Sequence, residues 1–122
     1  MYSCSSAHSE SNTLSADEQN EGWTLLFNGK DLTGWHLYNN HSPHSAWVVK
    51  NGKIYCDPNS EVRRIDLISD KEFENYELKF EWQLEKAGNS GVFINVKEDS
   101  AIAQTYFSGP EYQLLEDSHM AF

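Results

Sequence analysis

Basic residues are scarce in this chain. Nine Lys and Arg residues stand against 19 Asp and Glu, which gives the 122 residues a formal net charge of −10. Because a protein needs a basic face to neutralise phosphates, nucleic acid is not an expected partner. Anionic membrane surfaces are disfavoured for the same reason. No apolar run approaches the ~20 residues of a membrane-spanning helix, so we expect no transmembrane segment.

Cysteine is also rare, with only Cys4 and Cys56 in the chain. Two cysteines do not make a disulfide framework, and a bond between these two is the less favoured alternative. The run Met-Tyr-Ser-Cys-Ser-Ser is similar to the region around the lipidated cysteine of bacterial lipoproteins, although the given chain shows no complete signal peptide. With a start codon further upstream, Cys4 would anchor an exported, periplasmic protein. The alternative is an incidental cysteine in a tail.

The first 21 residues differ in composition from the rest of the chain. They contain six serines, four acids and no lysine or arginine. Such a segment buries too little apolar surface to offset the entropy that is lost on ordering. We therefore expect a disordered, Ser- and acid-rich tether over residues 1–21 and one folded domain over residues 22–122.

The remaining sequence has strand-like patterns and no convincing helical periodicity. Asn51-Gly52 separates the two β-prone runs Ala46–Lys50 and Lys53–Cys56, which is the strongest short-range signature of a hairpin. Further short strands are predicted at Trp23–Phe27, Leu32–Trp35, Ile65–Ser69, Val92–Lys97 and Glu111–Leu115. Many short strands at regular spacing predict an all-β sandwich, jelly roll or barrel.

Residues 75–85 carry the clearest alternation in the chain. Large apolar residues at every second position alternate with charged or polar ones. A period of two predicts a long antiparallel strand with one buried and one wet face. Trp82 lies on the apolar face, so we expect it in the core rather than stacked against a ligand. A tight turn at Ala87–Gly91 would follow this strand.

Polar side chains gather near the end of the chain, in residues 109–119. Because successive side chains of a strand point to opposite faces, Glu111 and Gln113 share one face while Tyr112 and Leu114 share the other. The second face can join a core. The first sets a carboxylate beside an amide, and a sheet can build a concave site from such a pair.

Five segments, in this order and spacing, resemble the 3-keto-disaccharide hydrolase domain family. They are WTLLFNGKDLTGW from Trp23, AWVVKNGKI from Ala46, FENYELKFEW from Phe73, GNSGVF from Gly88 and GPEYQLL from Gly109. The resemblance runs from about Gly22 to the chain end and implies a jelly-roll sandwich like the concanavalin A-type lectins and glucanases. A jelly roll needs about eight strands and the patterns give roughly seven, so we expect the domain to be truncated at its C-terminal end.

The resemblance also implies an activity, the cleavage of 3-keto-glycosides such as 3-keto-disaccharides by a hydrolase or lyase. A ketone at C3 acidifies the hydrogen on C2. A base removes that hydrogen, the glycosidic oxygen leaves C1, and water adds to the resulting enone. Proteins of this family are often exported by bacteria and work with a nicotinamide-dependent sugar oxidoreductase that installs the ketone.

We expect the cleavage itself to require no cofactor. His41 and His44 lie in a polar loop without a third fixed ligand, so we predict no histidine metal site. Calcium bound by loop oxygens stays an open alternative.

Five polar residues are candidates for the site that the resemblance implies. Glu111, as a partly desolvated carboxylate, is the candidate general base or acid, and a solvated strand acid is the alternative. Gln113 could bind a sugar hydroxyl or the developing enolate, and Asn95 could bind further hydroxyls. His119 is a candidate for assisting proton transfer, and Asp117 for binding substrate or capping a turn.

Two other functions stay open from the sequence alone. One is a non-catalytic, lectin-like carbohydrate-binding module on the same fold, since function depends on sites rather than on folds. The other is a fragment of the enzyme that has no activity by itself. Preference for the keto sugar over its unoxidised parent separates the enzyme from the binding module.

Overall fold

The computed structural model describes residues 11–116 as short antiparallel strands with very little helix. Its elements in chain order are α1 (Ala16–Asn20), β1 (Trp35–Leu37), β2 (Trp47–Lys50), β3 (Lys53–Cys56), β4 (Leu67–Ser69), β5 (Asn89–Phe93), a short 3₁₀ helix (Thr105–Phe107) and β6 (Glu111–Leu115). Within these residues the strands form three two-stranded sheets, in which β1 pairs with β4, β2 with β3, and β5 with β6. The predicted all-β class is confirmed. The chain divides after Lys71 into two compact units.

The β2–β3 hairpin forms where the Asn51-Gly52 pair predicts it. Both turn residues have positive φ, 52° at Asn51 and 69° at Gly52, as a type I′ turn requires. The register places Trp47 opposite Cys56 at the open end of the hairpin. Asn12 donates a hydrogen bond from Nδ2 to the carbonyl oxygen of Gly52 at 2.8 Å. A side chain 40 residues earlier in the chain therefore also contacts the hairpin turn.

Helix α1 lies in the segment for which composition predicts a disordered tether. Ser15 Oγ accepts from the backbone N–H of Glu18 at 3.2 Å, and Glu18 Oε2 accepts from the N–H of Ser15 at 2.8 Å. This reciprocal capping box satisfies two backbone donors at the start of the helix. The expectation of a chain without helices is wrong here. The composition describes the segment as a whole and does not detect a local capping motif.

Tryptophan side chains link strands to loops in the first unit. Trp35 donates from Nε1 to the carbonyl of Leu26 at 2.6 Å, and Trp47 donates from Nε1 to the carbonyl of Ile65 at 2.8 Å. The prediction of a strand at Trp23–Phe27 is wrong, because these residues belong to no strand. The carbonyl oxygen of Leu26 in this segment instead accepts a hydrogen bond from the indole N–H of Trp35. The buried apolar residues of this unit, among those described, are Leu37, Tyr38 and Ala46.

The strands β1 and β4 are shorter than the sequence patterns predict. The predicted strand Leu32–Trp35 is displaced, since the N–H of Trp35 donates to the carbonyl of Leu32 at 3.0 Å and closes a turn there. Strand β1 therefore begins where the predicted one ends. Strand β4 keeps only the last three residues of the predicted Ile65–Ser69.

Residues 75–85 form no strand, so the long strand predicted from their alternation is wrong. Large side chains on the apolar positions are exposed, 43% at Phe80 and 52% at Trp82, and Trp82 is therefore not a core residue. Alternation favours a strand only where a neighbouring strand completes the ladder and another layer covers the apolar face. Among residues 11–116, no strand pairs with this segment.

The second unit contains the β5–β6 ladder. Strand β6 has the predicted bounds, whereas β5 covers Asn89–Phe93 instead of the predicted Val92–Lys97. The first three residues of β5 were expected in a turn, and the turn in fact lies earlier. The N–H of Gly88 donates to the carbonyl of Glu85 at 2.7 Å and closes it. Because β5 starts early, Asn89 is part of the ladder, and its side-chain amide lies beside β6.

Candidate functional site

The register of β5 and β6 determines which side chains share a face. Phe93 lies opposite Glu111, and Gly91 lies opposite Gln113. Because paired residues of an antiparallel ladder point to the same side, these four positions form one face. Tyr112 takes the other face. The predicted grouping of Glu111 with Gln113 is confirmed, and the register adds Phe93 to the same face.

The carboxylate of Glu111 occupies the space above Gly91. A Cβ built on Gly91 would lie 2.7 Å from Cδ of Glu111 and would collide with its Oε1. Only a residue without a side chain leaves this space open, so Gly91 determines where the carboxylate can lie. Glu111 itself is exposed, so the expectation of a partly desolvated carboxylate is wrong. Its carboxylate is thus open to a ligand from solution.

The side-chain amide of Gln113 has a defined orientation. Its Nε2 donates to Oδ1 of Asn89 at 2.5 Å and to the carbonyl oxygen of Ser90 at 2.9 Å. A primary amide has two N–H donors, and both are used here. Gln113 therefore offers its Oε1 to a ligand, as an acceptor. This suits a sugar hydroxyl, which can donate, and does not suit an enolate oxygen, which needs a donor.

Hydrogen bonds hold the ladder at both of its ends. The N–H of Ile94 donates to the carbonyl of Pro110 at 3.1 Å, directly before Glu111. At the other end Glu116 accepts from the N–H of Ala87 through Oε2 at 3.0 Å, and its own N–H donates to the carbonyl of Gly88 at 3.3 Å. Glu116 therefore has a structural contact at this end of the ladder.

Of the three remaining predicted site residues, only Asn95 lies in the part of the chain that the structure describes. Asn95 lies two residues beyond the end of β5, with a positive φ of 55°, so it is not part of the ladder face that carries Glu111. Its Oδ1 accepts a long hydrogen bond of 3.4 Å from the hydroxyl of Tyr76. Asp117 and His119 lie outside the described residues, and their roles stay predictions.

A second polar cluster, in the first unit, was not predicted from the sequence. Nδ1 of His36 lies 2.6 Å from Oδ1 of Asp70, at the end of the β1–β4 ladder. The backbone N–H of Asp70 donates to the carbonyl of Gly34 at 2.8 Å, which places the carboxylate beside the ring. A carboxylate on one ring nitrogen orients a histidine as in many acid–base pairs. Only the β1–β4 pairing could have revealed this contact.

Residues 11–116 contain no group of three or more His, Cys, Asp or Glu side chains that could hold a metal ion.

None of the helices in that part of the chain is both long and apolar enough to cross a membrane. Cys56 is a free, half-buried thiol, and its desolvation raises the pKa of that thiol.

Known proteins are similar to nearly the whole chain. The family described as 3-keto-alpha-glucoside-1,2-lyase-like domains matches residues 22–121. A 3-keto-disaccharide hydrolase from Bacteroides thetaiotaomicron is 31% identical over 132 aligned positions, which cover 97% of this chain and 46% of that protein. A crystal structure of a protein assigned as a glycosyl hydrolase from Parabacteroides distasonis has a TM-score of 0.75 and 35% identity, over 87% of this chain and 46% of its own.

These matches support the sandwich fold and show how much of each relative's length the chain covers. The likeness to the Parabacteroides protein, together with the antiparallel strands, confirms the predicted all-β sandwich class. The chain spans about half the length of the relatives that it matches.

Proposed function

Since the chain belongs to the 3-keto-alpha-glucoside-1,2-lyase-like domain family, we propose that it takes part in cleaving glycosides whose sugar already carries a ketone at C3. The observation that carries the proposal is the exposed carboxylate of Glu111, which lies over Gly91 and beside an amide oriented to accept. This face offers a base and a hydroxyl-binding group side by side. Both are groups that the reaction of a 3-keto sugar needs.

In the proposed reaction, Glu111 acts as the base. Its carboxylate takes the proton from C2, and the C2–H electron pair forms the enolate with the C3 ketone. When the ketone re-forms, C1=C2 forms with it and the C1–O glycosidic bond breaks. The leaving oxygen takes a proton, a step for which His119 is the candidate donor. Water then adds its oxygen to C1 and a proton to C2, which gives the free 3-keto sugar.

Gln113 would position the sugar in this reaction. With both N–H donors used by Asn89 and Ser90, its Oε1 can accept a hydrogen bond from a ring hydroxyl. A fixed acceptor next to the base orients the C2–H bond towards the carboxylate, and orientation of this kind contributes strongly to rate. The enolate oxygen then requires donors from elsewhere in the protein.

The test is a time course with methyl 3-keto-glucoside and its unoxidised parent. The wild-type chain should cleave only the keto compound, and Glu111→Gln should lose almost all turnover while its unfolding curve stays unchanged. Glu81→Gln, which removes an exposed acid from another segment of the same unit, is the matched control and should keep its activity. Wild-type turnover in Glu111→Gln would refute the assignment of the base.

A carbohydrate-binding module is the second candidate function, because Glu111 is open to solvent rather than enclosed. A binding module should bind the unoxidised sugar as tightly as the keto form and should cleave neither. If the folded wild-type chain binds both sugars and releases no product, this candidate replaces the enzyme.

Three further parts of the proposal concern the surroundings of the reaction. The ketone would be installed by a nicotinamide-dependent sugar oxidoreductase, because the substrate must be oxidised before the C2 hydrogen becomes acidic. The elimination and hydration would need no cofactor. Export and lipid attachment through Cys4 would place the protein where extracellular or periplasmic sugars are encountered.

A further inference from the structure

Two neighbouring aromatic side chains are strongly exposed on the short 3₁₀ helix. Tyr106 is 61% exposed and Phe107 is 67% exposed. Their ring centroids lie 4.6 Å apart, with the ring planes inclined at 53°. Single exposed apolar residues are ordinary, whereas contiguous exposed apolar surface is a feature of binding sites. We call this pair the aromatic platform.

The loop below the aromatic platform is held by buried and hydrogen-bonded residues. Ser108 Oγ accepts from the N–H of Lys97 at 3.0 Å, and the hydroxyl lies 3.3 Å from the carbonyl oxygens of Lys97 and Thr105. Thr105 is buried, and its carbonyl accepts from the N–H of Gly109 at 3.1 Å. The two rings therefore stand on a fixed base, so a ligand would not have to order the loop on binding.

Gly109 joins this loop closely to the strand region. A Cβ on Gly109 would lie 2.5 Å from the carbonyl oxygen of Ile94 and 2.8 Å from Cγ2 of Val96. The chain then passes through Pro110 into β6. Phe107 precedes Glu111 by four residues, so the two α-carbons are at most about 14 Å apart. A ligand of two linked sugar rings can bridge such a distance.

The chemistry of the aromatic platform favours a neutral sugar over an ion. Sugar rings present faces of C–H groups that pack against aromatic faces, and a phenol adds a polar edge for a hydroxyl. Lys97, whose backbone N–H contacts Ser108, is already paired, since its Nζ lies 3.4 Å from Oδ2 of Asp99. With a net charge of −10, the chain does not attract anionic ligands or anionic lipid surfaces.

We propose that Tyr106 and Phe107 stack against the second sugar of a disaccharide whose keto ring lies at Glu111. This inference rests on the proposed function for the place of the keto ring. It assigns the aromatic platform to the leaving-group side of the scissile bond. The aromatic platform then distinguishes glycosides with a sugar as leaving group from those with a small alcohol.

The test compares a 3-keto-disaccharide with methyl 3-keto-glucoside as substrates of the same variants. In Tyr106→Ala and Phe107→Ala, the ratio of the KM for the disaccharide to the KM for the methyl glycoside should rise about threefold to tenfold, the equivalent of one lost aromatic contact. The kcat for both substrates should change little. Tyr106→Phe and Phe107→Tyr keep a ring and should restore the wild-type ratio.

The matched control is Tyr112→Ala, which removes an equally exposed ring from the face of β6 opposite to Glu111. Its KM ratio should stay at the wild-type value. An unchanged ratio in both alanine variants of the aromatic platform, or an equal rise in the control, would overturn the assignment.

A second measurement separates failure of this inference from failure of the proposed function. Unoxidised maltose is titrated into the wild-type chain and the Tyr106→Ala/Phe107→Ala double variant while aromatic proton resonances are followed by NMR. Shifts of the Tyr106 and Phe107 resonances that saturate in the wild-type chain, with loss of binding in the double variant, support the aromatic platform even if no keto sugar is cleaved. Cleavage without any maltose-dependent shift of these rings would support the enzyme and overturn the platform.

Discussion

The carboxylate of Glu111 lies directly above the α-carbon of Gly91, on the neighbouring strand and one diagonal step along the ladder. The residue type at one position of β5 thus determines where a carboxylate of β6 can lie. Gly91 has no side chain, so the long Glu111 side chain can lie flat across the sheet. In the proposed reaction this contact determines where the base meets the sugar.

Replacing Gly91 by alanine should therefore change activity more than stability. The new methyl group collides with the end of a flexible side chain, so Glu111 can rotate away and the free energy of unfolding should change by only about 0.5 kcal/mol. A carboxylate displaced by about 1 Å should lower kcat about 100-fold. Steady-state kinetics with methyl 3-keto-glucoside and urea unfolding of the same preparation measure the two effects. Full activity in Gly91→Ala would show that the position of Glu111 is not needed.

Replacing Gly109 by alanine should, in contrast, change stability more than activity. Here the new methyl group meets the carbonyl oxygen of Ile94 at 2.5 Å, and a backbone atom cannot rotate away. Overpacking of this kind costs about 1–3 kcal/mol. Urea unfolding should show that loss for Gly109→Ala and not for Gly91→Ala. Equal stabilities of the two variants would contradict the close contact between this loop and the residues after β5.

Local patterns predicted those parts of the molecule that depend on near neighbours in sequence. The Asn51-Gly52 turn needs two adjacent residues that accept positive φ, and β6 shows its two faces within five residues. The shared face of Glu111 and Gln113 followed from the same alternation. The capping box at Ser15 and Glu18 was equally local and could have been predicted.

The other features depend on contacts that no local pattern contains. His36 and Asp70 meet across 34 positions of sequence, through the pairing of β1 with β4. The orientation of the Gln113 amide depends on Asn89, which entered the ladder only because β5 starts earlier than its apolar residues indicate. Residues 75–85 show the converse, since strong alternation without a pairing strand leaves a segment that forms no strand and exposes large apolar side chains.

The orientation of the Gln113 amide predicts an effect of the isosteric change Gln113→Glu. The new carboxylate would face the carbonyl oxygen of Ser90 with no proton to donate, and should lower the free energy of unfolding by about 1 kcal/mol. Below a pH of about 4 a carboxyl group gains a proton and can donate again, so the loss should shrink in acid. Urea unfolding at pH 7 and pH 3.5 measures both values.

The control for Gln113→Glu is Gln104→Glu, which makes the same chemical change at a residue whose side chain caps no backbone group. It should leave stability nearly unchanged at both values of pH. If Gln113→Glu were as stable as Gln104→Glu, the amide N–H bonds to β5 would not stabilise the ladder, and the acceptor role of Gln113 would lose its basis.

The lowered pKa of Asp31 predicts how the stability of the first unit depends on pH in acid. Hydrogen bonds from the Thr33 side chain, from Asn28 and from the Thr33 N–H lower its pKa from 3.8 to about 2. A carboxyl whose pKa is lower in the folded state stabilises that state above its unfolded pKa. This contribution should be complete above a pH of about 4 and should disappear as the pH falls towards 2.

The variant Thr33→Val tests the cause of this shift, because it removes the hydroxyl that contributes most and keeps the shape of the side chain. The pKa of Asp31, followed by NMR of its carboxyl carbon, should rise towards 3.8. Urea unfolding between pH 4 and pH 2 should then become less steep in pH, and Asp31→Asn should remove this part of the dependence entirely. A pKa of about 2 retained in Thr33→Val would assign the shift to Asn28 and the backbone instead.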